Sequence, residues 1–133
     1  MTFKYTDEQR VAVESLDLST VLTAGAGSGK TRVLVGRYVN ILSKRRADVP
    51  EILAVTFTEK AAAEMNDRIR DSISVLERSE EELHQREHWR RMKRKMGSAA
   101  IGTIDSLCRQ IAKEYPIEAG IEPSFSVMDE LDS

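Results

Sequence analysis

This chain has one cysteine, Cys108, so no internal disulfide can staple it, and a reducing compartment suits it. It also lacks an excess of basic charge. Its 20 Lys and Arg stand against 22 Asp and Glu, a formal net charge of −2, so there is no general basic footprint for nucleic acid and any such contact must be local. No apolar run approaches the length of a membrane span, and Met1 to Arg10 is polar and charged where a signal peptide needs an apolar stretch. A cytoplasmic location with no membrane partner is the default expectation. Histidine is scarce as well: His84 and His88 lie one helical turn apart with no cysteine or carboxylate pair to complete a metal site, and both read as surface residues.

What is present fits one soluble globular domain: 133 residues, 41% of them hydrophobic, enough to bury a core of moderate quality. The organising stretch is Ala24-Gly25-Ala26-Gly27-Ser28-Gly29-Lys30-Thr31. Glycines at alternate positions let successive backbone N–H groups turn inward around an anion, since no Cβ blocks the approach. The β-branched and apolar run Thr20 to Thr23 precedes it as a strand, and Val33, Leu34, Tyr38, Ile41 and Leu42 recur after it at helical spacing. That context is what a phosphate-binding loop demands: the helix aims its positive end at the anion, Lys30 reaches the β- and γ-phosphates, and the Thr31 hydroxyl is placed to ligate Mg²⁺.

Before the loop, Thr6 or Asp7 can cap a helix running to about Leu16, with Glu8 and Gln9 in its first turn. Taken alone, Gln9 reads as a solvated helix residue. After the loop's helix, Pro50 marks a restart, and Glu51 to Thr58 forms a near-continuous apolar run, the mark of a strand buried on both faces. Strand, helix and strand make a βαβ unit, so the expected class is α/β with a parallel sheet. Ala62, Met65, Ile69, Ile73 and Leu76 then step at helical spacing. From about Ser79 to Met96 the pattern weakens into charge, with Arg86, Arg90, Arg91, Lys93, Arg94 and Lys95 clustered around Trp89. Two readings stand there: a solvated, self-paired helix, or a local patch for a phosphate backbone with Trp89 packing or stacking. Ala99 to Thr103 is a short third strand. Ile104, Leu107, Cys108, Ile111 and Tyr115 trace one face of a helix that Pro116 ends, with Cys108 read as a core thiol.

Together these stretches resemble the amino-terminal part of the first motor domain of a superfamily 1 DNA helicase of the UvrD/RecB/AddA type. Ala24 to Thr31 matches the group's first helicase motif at every position. Leu53 to Met65 resembles the next motif, and Ile101 to Cys108 the one after it. The wording of the last motif and the tail Glu118 to Phe125 look closer to the RecB/AddA branch. The resemblance implies a P-loop NTPase (RecA-like) parallel sheet flanked by helices, incomplete in this stretch, occupying residues 1–133 with a charged helical extension at about 77–97. It implies ATP and Mg²⁺ as cofactors, held by Gln9 at the adenine edge, by Ala24, Gly25, Ala26, Gly27, Ser28, Gly29, Lys30 and Thr31 around the phosphates, and by Arg32 near the base. Lys30 and Thr31 are the implied catalytic positions and Thr31 the Mg²⁺ position. Thr56, Phe57, Thr58, Thr103 and Ser106 match segments that touch single-stranded DNA. The implied partners are single-stranded DNA or a duplex end, the rest of the helicase chain with its second motor domain, and a nuclease partner or domain. Two positions depart from the pattern: Glu59 stands where the family commonly has an amide, and Asp105 where it has histidine, each placing a carboxylate near a phosphate path.

The Asp-Glu motif that holds Mg²⁺ and activates water comes later in such helicases, and Asp129-Glu130 reads as a non-catalytic segment. The chain is therefore expected to bind Mg·ATP weakly and hydrolyse it negligibly. A GTPase would need an Asn-Lys-x-Asp segment to read guanine, and none occurs. A non-hydrolysing nucleotide- or DNA-binding fragment is the other expectation that the residues allow.

Overall fold

The structure is a computed structural model that describes residues 5–20, 29–115 and 118. The expected strand residues Val21 to Thr23, loop residues Ala24 to Ser28, Pro116 and Asp129-Glu130 lie outside the described residues.

Helix α1 spans Asp7–Glu14. Thr6 caps it: its hydroxyl accepts from Gln9 N at 3.2 Å, while Gln9 Oε1 accepts from Thr6 N at 3.0 Å, a reciprocal box that satisfies two otherwise orphaned donors. Ala12 and Val13 on α1 are buried against Val33 of α2, which spans Lys30–Ser43, and Tyr5 packs on the same small cluster. The two helices are also tied by side chains. Arg37 donates to the carbonyls of Ala12 at 2.6 Å and Leu18 at 3.1 Å, and Asn40 donates to the carbonyl of Val13 at 3.0 Å. Arg37 and Asn40 thus take up carbonyl groups that the end of α1 leaves without helical partners. Helix α2 ends in a reverse turn with Arg45 at φ 54°, Arg46 N donating to Ile41 O and Arg45 N to Leu42 O.

A short turn at Val49–Glu51, capped by Asp48, leads into strand β1, Leu53–Thr56. Helix α3, Glu59–Ser79, follows under a Thr58 cap and buries Ala62, Met65, Ile69 and Ile73, the stripe that the helical spacing predicts. Helix α4, Leu83–Lys95, comes next, then strand β2, Ala100–Thr103, and helix α5, Ile104–Glu114. The strands pair in parallel, with Leu53 opposite Ala100 and Thr56 opposite Thr103, as the βαβ reading requires. The described core is a two-stranded parallel sheet flanked by helices. Val35, Tyr38 and Leu42 of α2, Met65, Ile69 and Ile73 of α3, and Trp89, Met92 and Met96 in and just after α4 form its main cluster.

Three expectations give way. Strand β1 is not covered on both faces by the described residues: Leu53 is 62% and Val55 40% exposed, because α3 and α4 pack on the side that Ala54 faces. Cys108 is exposed, since only Leu107 of the α5 stripe is buried and Ile104, Ile111 and Tyr115 are open. His88 is buried and bound at Nε2 to the Leu42 carbonyl, 3.0 Å away. It lies edge-on to Trp89, and its bond to Leu42 ties α4 to the carboxyl end of α2. Burial holds the His88 imidazole below its ordinary pKa, with the charges of Arg45 and Arg91 adding to that effect against the pull of the Leu42 carbonyl.

Helix α4 is therefore part of the core. Its basic residues are largely engaged internally: Arg90 pairs with Glu77 and Glu87, Lys93 with Glu77, and Lys95 with Asp48, while Arg86 donates to the Glu80 carbonyl. The Arg90 hydrogen bond holds the Glu77 carboxyl below its usual range, and the Lys95 hydrogen bond does the same for Asp48.

Candidate nucleotide and nucleic-acid site

Of the residues expected to hold a nucleotide, Gln9, Gly29, Lys30, Thr31 and Arg32 are described, and they lie where α1 meets the head of α2. Gly29 takes a left-handed conformation, φ 64°, immediately before the helix, a geometry that glycine adopts without strain. It offers no side chain to cap α2, and no acidic residue lies in the first turn. The positive end of a 14-residue helix, with Lys30 exposed on its first turn and Thr31 half-buried beside it, fits an anion. The side-chain amide of Gln9 lies against this point: a Cβ built on Gly29 would stand 3.1 Å from Gln9 Nε2. Gln9 thus serves two ends at once, its oxygen completing the Thr6 box and its nitrogen facing the loop terminus. Arg32 stacks over the Tyr5 ring at 5.1 Å, and the Tyr5 hydroxyl occupies the space that a Cβ on Gly36 would need. Gln9 meets Gly29 and Tyr5 meets Arg32 where α1 lies on α2, and the Arg37 and Asn40 bonds tie the two helices further along.

For Mg²⁺, no group of three or more His, Cys, Asp or Glu side chains occurs among the described residues. Among the described residues, the oxygen donor at the head of α2 is the hydroxyl of Thr31. That fits a hard cation held chiefly by phosphate oxygens and water, with one protein ligand, and does not fit a cage built by protein alone.

The second half lies at the carboxyl edge of the sheet. The register places Thr56 beside Thr103, so the segments after β1 and β2 leave the sheet side by side. Thr58 caps α3 by accepting from Ala61 N at 3.1 Å, and the Thr56 hydroxyl donates to the Thr58 carbonyl at 3.0 Å. Between them Phe57 is 92% exposed, more open than any other large hydrophobic side chain among the described residues. Thr103 is buried and caps α5, accepting from Ser106 N at 3.1 Å; its own proton goes to Glu59 Oε1 at 3.3 Å. The Ser106 hydroxyl donates to the Thr103 carbonyl at 2.9 Å and fills the space over Gly102. Glu59, Ser106, Arg109, Gln110, Lys113 and Glu114 line an open groove of about 630 Å³ alongside.

The structure thus brings Gln9, Gly29 and Arg32 into one neighbourhood and Thr56 to Thr58, Thr103 and Ser106 into another, while Ala24 to Ser28 lie outside the described residues. Sequence reasoning missed the anchoring role of Arg37 and Asn40, and the packing of Tyr5 on Gly36. A glycine at an interior helix position was the available signal for the latter.

The family model for the UvrD/REP helicase N-terminal domain matches residues 5–133. The chain belongs to that family. Among relatives of this UvrD/REP-type chain, an ATP-dependent helicase/nuclease subunit from Anoxybacillus flavithermus is 43% identical over 129 residues, covering 96% of this chain and 10% of its own length. The protein of the same name from Clostridium botulinum is 41% identical over 129 residues, with the same two coverages. That from Heliobacterium modesticaldum is 38% identical over 128 residues, covering 96% of this chain and 9% of its own length. The UvrD/REP-type chain thus spans about a tenth of the length of the curated relatives it matches. No helix among the described residues is long and apolar enough to cross a membrane.

Proposed function

We infer that this chain is the amino-terminal portion of the first motor domain of an ATP-dependent DNA helicase or helicase-nuclease. Its fold would be the opening of a RecA-like P-loop sheet, and residues 1–133 would contribute one side of an ATP site closed by a second motor domain. The observation that carries the nucleotide reading is the placement of the Gln9 amide against Gly29 at the head of α2. A side-chain amide offers both a donor and an acceptor, which suits the adenine edge. The phosphates lie in the loop Ala24 to Thr31, with Lys30 as point charge and Thr31 toward Mg²⁺. The ion neutralises phosphate charge when bound. This chain's residues hold the phosphates and orient the base.

Single-stranded DNA runs over the carboxyl edge of the sheet, where the open ring of Phe57 gives a stacking platform indifferent to base identity. The relatives' names carry "helicase/nuclease", which supports DNA as the substrate and a nuclease domain or partner chain nearby. In such an enzyme, ATP closes two motor domains and hydrolysis releases them, stepping the protein along one strand. With Asp129-Glu130 non-catalytic, the chain binds Mg·ATP and turns it over negligibly.

Competition binding tests this reading. A fluorescent ATP analogue should be displaced by ATP in preference to GTP, and Lys30→Ala should weaken binding by about ten-fold or more, the loss expected for a charge-assisted contact to phosphate. A preference for GTP, or binding indifferent to Lys30→Ala, contradicts it. DNA-stimulated turnover that disappears with Lys30→Ala would show instead that Asp129 or Glu130 is catalytic.

A further inference from the structure

The hydroxyls of Thr103 and Ser106 cannot donate to a phosphate in the conformation observed. Thr103 Oγ1 accepts from Ser106 N and gives its only proton to Glu59; Ser106 Oγ gives its proton to the Thr103 carbonyl. Thr103 is moreover 7% exposed, and Glu59 is the charged side chain bonded to its hydroxyl. Glu59 itself is exposed, sits on the first turn of α3, and lines the groove beside Ser106. A phosphate oxygen is an acceptor and needs a donor, while a carboxylate at the same spot competes for that donor and repels the incoming charge.

The geometry points to Glu59 as a built-in competitor for the nucleic-acid phosphate. In the free chain it holds the Thr103 proton. When a single strand arrives over Phe57, the Glu59 carboxylate swings into the open groove, and the Thr103 hydroxyl donates to a phosphate oxygen in its place. Binding is then an exchange of one acceptor for another, with no net loss of hydrogen bonds and with Thr103 still capping α5. Glu59 sets the threshold for strand engagement and couples the segment after β1 to the segment after β2. This inference rests on the proposal that the sheet edge binds single-stranded DNA.

The test is a titration of a fluorescein-labelled oligothymidylate at low ionic strength with the wild-type chain, Phe57→Ala, Glu59→Ala, Thr103→Val, Glu59→Ala/Thr103→Val and Glu59→Ala/Thr103→Ser. Removing the carboxylate should tighten binding about five-fold, the scale of one net hydrogen bond that the Thr103 hydroxyl no longer spends on Glu59. The gain should disappear with Thr103→Val and survive with Thr103→Ser, which keeps both the hydroxyl and the helix cap. Circular dichroism at the titration temperature identifies a variant that has unfolded, and the serine double variant alone still reads the gain. If Glu59→Ala fails to tighten binding, or if its gain persists undiminished in Thr103→Val, the exchange is wrong, even where Phe57→Ala weakens binding and the strand site stands. If Phe57→Ala leaves the wild-type affinity unchanged, or the wild-type chain does not bind the probe, the strand site fails and the exchange falls with it.

Discussion

Helix α4 and the carboxyl edge of the sheet both suggest nucleic-acid surfaces in sequence, and the structure separates them. In α4 the basic residues around Trp89 form a dense cluster, yet Trp89 is 5% exposed and packs with Met92 and Met96 while Arg90, Lys93 and Lys95 pair with Glu77, Glu87 and Asp48. At the sheet edge the described residues form no comparable basic cluster, with Arg109 and Lys113 in the adjoining groove, yet Phe57 is left 92% exposed beside a row of hydroxyls. A local excess of lysine and arginine is weak evidence of a phosphate partner when carboxylates on the same helix or on the segments packed against it can satisfy it. An aromatic ring held open at a strand end is stronger evidence, because burial would otherwise be favourable by roughly 1.5–3 kcal/mol.

The contrast can be broken most severely by removing each aromatic in turn. Trp89→Ala should destabilise the fold by about 3–5 kcal/mol in urea denaturation, as for other buried large-to-small changes. Phe57→Ala should leave stability within about 0.5 kcal/mol of wild type. Equal losses for the two would erase the distinction.

A smaller effect should appear with pH. His88 has a folded pKa below its unfolded value of about 6.5, so the unfolded chain binds the proton first. The contribution of the neutral imidazole is full above about pH 6.5 and is lost as pH falls from there through the folded value. Asp48 and Glu77 carry depressed carboxyl pKa values, so what they contribute is present above about pH 4 and lost only below it. Chemical denaturation followed from pH 7.5 to 4.5 should therefore show a decline that His88→Gln removes. An unchanged slope in that variant would mean that α4 docks on α2 without His88.

The smallest effect concerns Tyr38, whose hydroxyl is buried with no hydrogen-bond partner among the described residues. Its pKa is pushed up to about 12 by burial, with the charge of Asp48 adding to it. Tyr38→Phe should raise stability by up to about 1 kcal/mol, since it removes an unsatisfied polar atom and keeps the ring. A loss of that size would reveal a partner for the hydroxyl, and a thermal melt distinguishes the two.

Much of the frame is readable from the residues. The stripe Ala62, Met65, Ile69 and Ile73 predicts α3 and its buried face, and Thr6, one of the two caps the residues offer, is the cap of α1. What is illegible depends on neighbours far along the chain. Cys108 and Trp89 both lie on apolar helical stripes; one stripe is covered and the other is open, and periodicity reports which face wants cover without saying what supplies it. His88 reads as a surface residue because its partner is a backbone carbonyl 46 positions away. The roles of Arg37 and Asn40 are illegible for the same reason, since the carbonyls of Ala12 and Val13 that they bind leave no mark in the sequence. In the candidate site, the proposed phosphate loop is read from its spacing, with Ala24 to Ser28 outside the described residues, and the proposed role of Gln9 only from family likeness. The hydrogen bond from Thr103 to Glu59 is not legible, as nothing in either segment fixes the register that brings them together.

The central claim is that the strand binds at the sheet edge and not along α4. It is tested most directly by measuring oligothymidylate affinity for Phe57→Ala and for the double variant Arg91→Ala/Arg94→Ala, two exposed α4 cations without ion pairs among the described residues. The account predicts that Phe57→Ala weakens binding by about ten-fold, the loss of one base-stacking contact, while the arginine variant stays within about two-fold of wild type after the screened loss of two distant charges. The reverse order, with Phe57→Ala unchanged and the arginine variant weakened, would contradict it.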